Sequence, residues 1–340
     1  MTGSGTQDGA MTMHSPEAAF ELSELEQAAA LVGKVVPPTP QYAWPKLKLR
    51  AGCTVWVKHE NHTPTGAFKV RGGLVYLDRL RRTQPGIRGV ISATRGNHGQ
   101  SIAFAAARTG IAATIYVPHN NSLDQNSAIA AFGARVVEFG RDFDEAKHEA
   151  FRVAASEGLH FIPSFHRDLV AGVATYALEL FRSLGDLDAV YVGVGMGSGI
   201  SGLIAVRDLL GRRTEIIGVG AAKAPATAQS FAAGRPVNAA AAQTFADGLA
   251  TREPHAQAIE TICRGASRIV EVGENEIAEA MRIYYDDTHQ IAEGAGAAPL
   301  AALLQERHRM ASKQVAVVLS GGNIERARFL QVLGGVTPSA

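Results

Sequence analysis

Short runs of β-branched and aromatic residues alternate along this chain with longer stretches whose apolar positions recur every three or four residues. The first such stretch, 16–32, places Phe20, Leu22, Leu25, Ala28 and Leu31 near helical spacing, with Ser15 set to cap a helix and Pro16 at its first position. Pro37, Pro38, Pro40 and Pro45 are then expected to hold the backbone extended as far as a strand at 55–58. A helix carrying Leu74, Val75, Leu77 and Leu80 should follow and stop at Pro85-Gly86. Beyond it the pattern predicts strand 89–92, a small-residue helix containing 102–107, strand 113–117, helix 125–132, strand 136–139, helix 142–157 and strand 160–162. A second series runs through helix 170–184, strand 189–194, helix 200–210, strand 215–219, helices 274–287 and 297–308, and strand 314–319. The Ala-, Gly- and Pro-rich stretch 221–242 yields no element. Alternation of this kind builds parallel sheets joined by crossover helices, so the expected fold class is α/β, two-lobed, with open twisted, mainly parallel sheets. We divide it into a large domain (16–65 with 166–335), a small domain (66–165) and a disordered tail (1–15).

Composition narrows the partners. The 340 residues are enough for two α/β lobes, and 33 basic side chains stand against 32 acidic ones. That balance leaves no electrostatic footprint for nucleic acid or an anionic membrane, and favours a small neutral or zwitterionic ligand. Cys53 and Cys263 form neither a disulfide framework nor a metal-ligand spacing, and read as buried thiols of a reduced compartment. The first fifteen residues lack the basic and apolar regions of a secretory signal, and no run reaches the roughly 18 apolar residues of a membrane span. A cytoplasmic protein is expected.

Four stretches carry candidate chemistry. The first is KHENHTPTGAFKVRGG, from Lys58 to Gly73, where turn-forming residues follow a strand and deliver Phe68, Lys69 and Val70 into a helix start. Lys69 reads either as a solvated surface lysine or as a desolvated, nucleophilic amine. In the second, Ser92 to Gln100, a strand runs into a helix start that offers backbone N–H groups to a carboxylate, the Asn97 amide to a ligand oxygen, and Ser92 and Thr94 as further donors. Without a ligand it is a capped helix. The third, Gly193 to Gly202, nearly meets the dinucleotide pattern, but its last glycine is displaced and no acidic residue follows the next strand; no Gly-Lys-Ser/Thr closes a P-loop either. A single phosphate group suits its backbone N–H groups better, a tight turn packed on the sheet being the plain alternative. The fourth, Ser320 to Asn323, ends a fully apolar strand and sets the Ser320 hydroxyl at the sheet's rim.

Lys69 within TGAFKVRGG, Asn97 within RGNHGQS, the loop GMGSG and the terminal SGGN resemble, in that order, the motifs of pyridoxal-phosphate enzymes of the tryptophan-synthase-β-like superfamily (fold type II), and most closely its serine/threonine dehydratase family. The resemblance runs from about Ala19 to Leu333. It implies that the large domain binds pyridoxal 5'-phosphate, with Lys69 as the lysine joined to the cofactor and later the base at the substrate Cα. It further implies that Phe68 packs near the ring and that Asn97 bonds the ring's 3-oxygen. Gly195, Met196, Gly197, Ser198 and Gly199 would hold the phosphate, with Ser320 facing the pyridine nitrogen and Glu293 near the ring. Ser92, Thr94, Arg95, Gly96, Asn97 and His98 would receive the substrate carboxylate. Asp247, in FADGLA, matches a position near a divalent or monovalent cation, though it also reads as a solvent-facing turn aspartate. The implied reaction is α,β-elimination from a 3-hydroxy amino acid, releasing a 2-oxo acid and ammonia.

Two departures from the family pattern bear on specificity. Arg95 is extra or substituted on the carboxylate-binding turn, where it either bridges the lobes or meets a second carboxylate or polar tail of a substrate larger than threonine. The mixed loop of Gly195 to Gly199 marks a side branch. The chain ends soon after Leu333, where biosynthetic relatives continue into an amino-acid-sensing domain, so a catabolic form is expected, and with it the family's homodimer. The rival outcome on the same cofactor is serine racemisation or β-replacement, the former needing a second base for which Ser92 and Ser101 are candidates. A nucleotide-dependent oxidoreductase or a small-molecule binding protein is the rival of another class.

Overall fold

Two sheets divide the chain between them. The computed structural model describes residues 20–340, so the tail expected at 1–15 and the caps assigned to Ser15 and Pro16 lie outside the described residues. The elements are α1 (Leu22–Val32), β1 (Gln41–Ala43), α2 (Pro45–Ala51), β2 (Thr54–His59), α3 (Lys69–Thr83), β3 (Val90–Ala93), α4 (Asn97–Thr109), β4 (Ala113–Val117), α5 (Leu123–Ala131), β5 (Arg135–Glu138), α6 (Phe143–Glu157) and β6 (His160–Phe161). They continue with α7 (Arg167–Leu184), β7 (Ala189–Gly193), α8 (Ser198–Leu209), β8 (Glu215–Ala221), α9 (Ala226–Ala233), α10 (Ala256–Gly265), β9 (Arg268–Val272), α11 (Glu274–Thr288), α12 (Gly294–Gln305), β10 (Gln314–Leu319) and α13 (Arg326–Leu333). A 3₁₀ turn, Asp247–Leu249, lies between α9 and α10.

The larger sheet has the order β1-β2-β10-β7-β8-β9, parallel except for β1, and the smaller one, β5-β4-β3-β6, is parallel throughout. Strand β10 shows how the larger sheet is buried on both faces. Val315, Val317 and Leu319 join a core with Met281, Leu300 and Leu303 of α11 and α12, whereas Ala316 and Val318 point to the opposite core, shared with α7 and α8. That second core also takes in Leu74 and Leu77 of α3, Ile102 of α4 and Ile115 of β4, so one apolar interior runs beneath both sheets. Each such leucine contributes about 1.5–3 kcal/mol through burial.

Where α3 crosses α7 the helices meet backbone to backbone. A Cβ on Gly72 would sit 2.8 Å from the Leu169 carbonyl oxygen, and one on Gly172 would run into the carbonyl of Arg71. The close crossing fixes the start of α3, where Lys69 stands.

Four expectations are corrected. Helix α1 begins at Leu22 because Glu21 is extended, with φ −95° and ψ 148°. The proline segment is not extended throughout: it pairs as β1 and then turns into α2, with Pro45 at the first helical position, where its missing N–H costs nothing. The unassigned stretch 221–242 contains α9, and α10, β9 and α13 went unread. Finally, α12 starts at Gly294, three residues before the expected 297, and includes Pro299.

Candidate active site

Strand β2 runs into a turn at 60–68 that is tied to the end of β10. Phe68 N–H donates to the Ser320 carbonyl at 2.9 Å, Gly322 N–H donates to the Gly66 carbonyl at 3.0 Å, and Ala67 bridges Gly321. Thr63 closes the turn internally, its Oγ1 accepting from Ala67 N–H at 3.0 Å. Lys69 then opens α3, and its carbonyl accepts the Ser101 hydroxyl of α4 at 2.6 Å. Its amine donates to Ser198 Oγ at 3.2 Å and lies 5.2 Å from the centre of the Phe68 ring. Burial lowers the amine from 10.5 to about 8, which makes a neutral, nucleophilic nitrogen accessible near neutrality.

Behind Lys69 lies a buried ion cluster. Arg71 donates through Nε to Glu60 at 2.7 Å and through Nη1 to Glu179 at 2.7 Å and Thr175 at 3.0 Å; Lys58 donates to Glu179 at 2.5 Å and to the Thr39 carbonyl at 3.0 Å. Two cations face two carboxylates, so the cluster fastens β2, α3 and α7 without net charge beside the amine.

Opposite Lys69, β7 ends and α8 begins. Gly197 adopts φ +95°, the left-handed region that favours glycine, and a Cβ there would lie 2.7 Å from Ala258 Cβ. A side chain on Gly195 would meet the Gly248 carbonyl. The first turn of α8 leaves its N–H groups without helical partners, which makes this cradle an anion site. Ser198 supplies a hydroxyl, Gly199 lies 3.7 Å from the Phe68 ring edge at its would-be Cβ, and Met196 turns away to pack with Phe165, Val170 and Ala258.

Asn97 opens α4 beneath the smaller sheet. Its Nδ2 donates to Glu293 Oε1 at 2.8 Å and its Oδ1 accepts from Asn323 Nδ2 at 2.8 Å. Burial raises Glu293 to about 7 against the opposing bond from Asn97, with the Asp247 charge adding to the rise. Ser320 is buried at the tip of β10. The residues brought together around the cleft are therefore Lys69, Phe68, Ser198, Asn97, Glu293 and Ser320.

Others serve the frame. The Ser92 hydroxyl donates to the Ile162 carbonyl at 2.8 Å, and Thr94 Oγ1 accepts from Gly96 and Gly99 N–H at 2.9 and 3.2 Å, capping α4. With the Gly96 N–H taken up by Thr94, the N–H groups of Asn97 and His98 are left at the α4 start to face a carboxylate. His98 is buried and its Nε2 has no protein partner; burial, aided by the Lys69 charge, lowers it to about 3 and keeps the ring neutral. Ser92 and Ser101, the candidate second bases, both spend their hydroxyl hydrogens on carbonyl oxygens. Arg95 bridges the lobes, 3.3 Å from Asp247. Arg328 approaches the other oxygen of Asp247 at 3.5 Å, so both carboxylate oxygens face an arginine. No group of three or more His, Cys, Asp or Glu side chains able to hold a metal lies among the described residues. Asn323 and Arg328 were missed as neighbours of the site; the SGGN turn was the only signal for the first.

An amine lowered by burial, a glycine cradle at a helix start and an amide between them define a site for a phosphate-bearing aldehyde cofactor on a two-lobed α/β fold, and pyridoxal 5'-phosphate fits this donor set. The chain belongs to the family of pyridoxal-phosphate dependent enzymes, whose model matches residues 32–321. It is 36% identical over 277 residues to an L-threonine ammonia-lyase of Geobacter sulfurreducens, covering 81% of this chain and 69% of that protein. An L-threonine ammonia-lyase of Thermotoga maritima is 33% identical over 305 residues, covering 89% and 76%. The processed form of threonine deaminase isoform 2 from Solanum lycopersicum superposes with a TM-score of 0.86 at 29% identity, covering 93% of this chain and 94% of that one. Among the described residues no helix is long and apolar enough to cross a membrane.

Proposed function

We infer that the protein is an ammonia-lyase that removes water from a 3-hydroxy amino acid, threonine- or serine-like or larger, by α,β-elimination to give a 2-oxo acid and ammonia. The observation that carries this reading is the Lys69 amine, held at about 8 and 3.2 Å from Ser198 at the first turn of α8. Pyridoxal phosphate, when bound, supplies the electron-withdrawing ring that stabilises charge at the substrate Cα. Gly195, Met196, Gly197, Ser198 and Gly199 would hold its phosphate through the N–H groups of the loop before α8 and of the helix's first turn. Lys69, as a neutral amine, would take the Cα proton. Asn97 would donate to the ring's 3-oxygen, with Phe68 beside the ring and Glu293 behind the amide. The Ser320 hydroxyl would face the ring nitrogen, where an alcohol, unlike a carboxylate, would leave the ring weakly protonated, which suits expulsion of a β-leaving group. The start of α4 at Asn97 and His98, lined by Gly96, would receive the substrate carboxylate, and Arg95 would face a polar or acidic side chain. The domain division at 65/66 and 165/166, a cytoplasmic setting, a catabolic role and a homodimer belong to the same proposal.

The test is product analysis with a panel of 3-hydroxy amino acids, including acidic and aryl ones. Ammonia and 2-oxo acid in equal amounts support elimination, whereas recovery of the amino acid with opposite hand overturns it. Lys69→Ala should lose turnover, and Arg95→Ala should change the ranking of substrates across the panel.

A further inference from the structure

Asn323 has no role in the chemistry above, yet it holds the residue that does. Its Nδ2 lies 2.7 Å from the Thr65 carbonyl and 2.8 Å from Asn97 Oδ1. A backbone carbonyl only accepts, so the Thr65 contact fixes which end of the Asn323 amide carries the hydrogens. With both hydrogens committed, Asn97 must turn its oxygen toward Asn323, and its own NH₂ group then faces Glu293 Oε1 at 2.8 Å. One of those two hydrogens goes to Glu293 and the other remains for a ligand.

Glu293 alone does not settle this orientation. An ionised carboxylate demands a donor, but with burial holding it at about 7 the group is often protonated near neutrality, and a carboxylic acid donates as readily as it accepts. Only Asn323, which does not titrate, imposes one flip at every pH.

We propose that Asn323 is a positioning residue that sets the flip of Asn97, so that Asn97 meets the cofactor's ring oxygen as a hydrogen-bond donor and never as an acceptor. The proposal rests on the functional reading that Asn97 contacts that oxygen. Asn323 is itself secured through the backbone from both sides of the cleft: its main-chain carbonyl accepts from Gln125 Nε2 at 3.3 Å, and the Gly322 N–H beside it donates to the Gly66 carbonyl at 3.0 Å. Asn97 and Gln125 belong to helices of the smaller sheet, whereas Asn323 follows β10 of the larger one. The orientation is thus set across the cleft.

The experiment is a pH titration of the visible absorbance of the bound cofactor in the holoenzyme, for wild type, Asn97→Ala, Asn323→Asp, Asn323→Ala and the double variant Asn97→Ala/Asn323→Asp. A donor at the ring oxygen stabilises its anion, so losing that donor should move the midpoint upward by about one pH unit. Asn323→Asp keeps the size of the side chain but only accepts, and forces Asn97 to reverse. We expect it to shift the midpoint at least as far as Asn97→Ala does, with the double variant adding nothing to Asn97→Ala alone. Asn323→Ala, which removes the donor without adding charge, should shift it in the same direction, and is read by the same criterion if the aspartate variant does not fold. A wild-type midpoint in the Asn323 variants beside a displaced one in Asn97→Ala overturns the proposal, as does full additivity. An unmoved midpoint in Asn97→Ala removes the premise itself, whereas ammonia release by the wild type tests the functional reading separately.

Discussion

Lys69 Nζ and Ser198 Oγ stand 3.2 Å apart, the lysine donating, so the amine of α3 and the anion-binding turn of α8 are held at one spacing across the cleft. The consequence is kinetic. Burial penalises the ammonium and not the amine, so the nucleophilic form becomes abundant as pH rises through about 8 and does not wait for the 10.5 of a free lysine. Reductive alkylation of the cofactor-free protein, followed residue by residue by mass spectrometry, should show Lys69 labelling with a midpoint near pH 8 while surface lysines lag. A midpoint shared with the surface lysines would remove the desolvated amine from the mechanism.

Gly197 and Gly220 separate the demands of the cradle from those of the sheet. Gly197 carries φ +95° with Ala258 Cβ 2.7 Å from a would-be side chain, whereas nothing lies within 4 Å of a Cβ on Gly220. Gly197→Ala should therefore strain the turn that opens α8 by about 1 kcal/mol or more and raise the cofactor's dissociation constant by roughly tenfold. Gly220→Ala should leave it unchanged. Fluorescence titration with pyridoxal phosphate checks both, and equal effects would mean that the two glycines act only through the fold.

Much of this was legible in the chain because periodicity and punctuation agreed. Strands β4 and β10 fall on their apolar runs, and α6 falls on the expected 142–157, with Asp142 as its cap accepting from Glu145 N–H at 2.9 Å. What escaped was local pattern overridden by partners far away in sequence. Four prolines argued for extended backbone, yet Pro45 begins α2 because Leu47 and Ala51 find a buried face between β2 and the helices beyond it. Within the site, the pairing of lysine, glycine cradle and asparagine followed from the order of four motifs. The role of Thr94 and Ser92 did not: adjacent hydroxyls read alike in sequence, and only the fold shows one capping α4 and the other bonded to Ile162. The arginine partners of Asp247 were hidden for the same reason, Arg95 and Arg328 both lying more than eighty residues from it along the chain.

Glu293 gives the cofactor-free protein a dependence on pH of definite sign. Its carboxyl is raised from 4.5 to about 7 by burial, so the folded state binds this proton more tightly than the unfolded one. The resulting stability is fully present below about 4.5 and is lost as pH rises through 7. Glu293→Gln, which keeps an acceptor for Asn97 without a charge, should flatten that slope. Urea unfolding at intervals from pH 5 to 8 measures it; parallel curves for the two proteins would show that the carboxyl ionises as freely folded as unfolded.

Arg71 is the residue whose loss should cost the fold most. Its guanidinium is fully buried, as are Lys58 and Glu60, and it is the sole cation among the described residues bonded to both Glu60 and Glu179. Arg71→Met fills much the same space but strands Glu60 beside an incompletely neutralised Glu179, and an uncompensated buried charge of this kind costs about 3–5 kcal/mol. Replacing Glu60 by Gln in the same chain removes the stranded charge, so the double variant Arg71→Met/Glu60→Gln should recover a substantial part of that loss, a coupling that a simple packing defect would not show. Because Arg71 lies two residues from Lys69 in the first turn of α3, the single variant should also loosen the amine's position, and ammonia release should fall further than the loss of folded protein explains. Chemical denaturation of the four proteins of this cycle, with turnover measured on the folded fraction, distinguishes the cases. Additive losses in stability would show that the cluster is held by its packing and not by its charges.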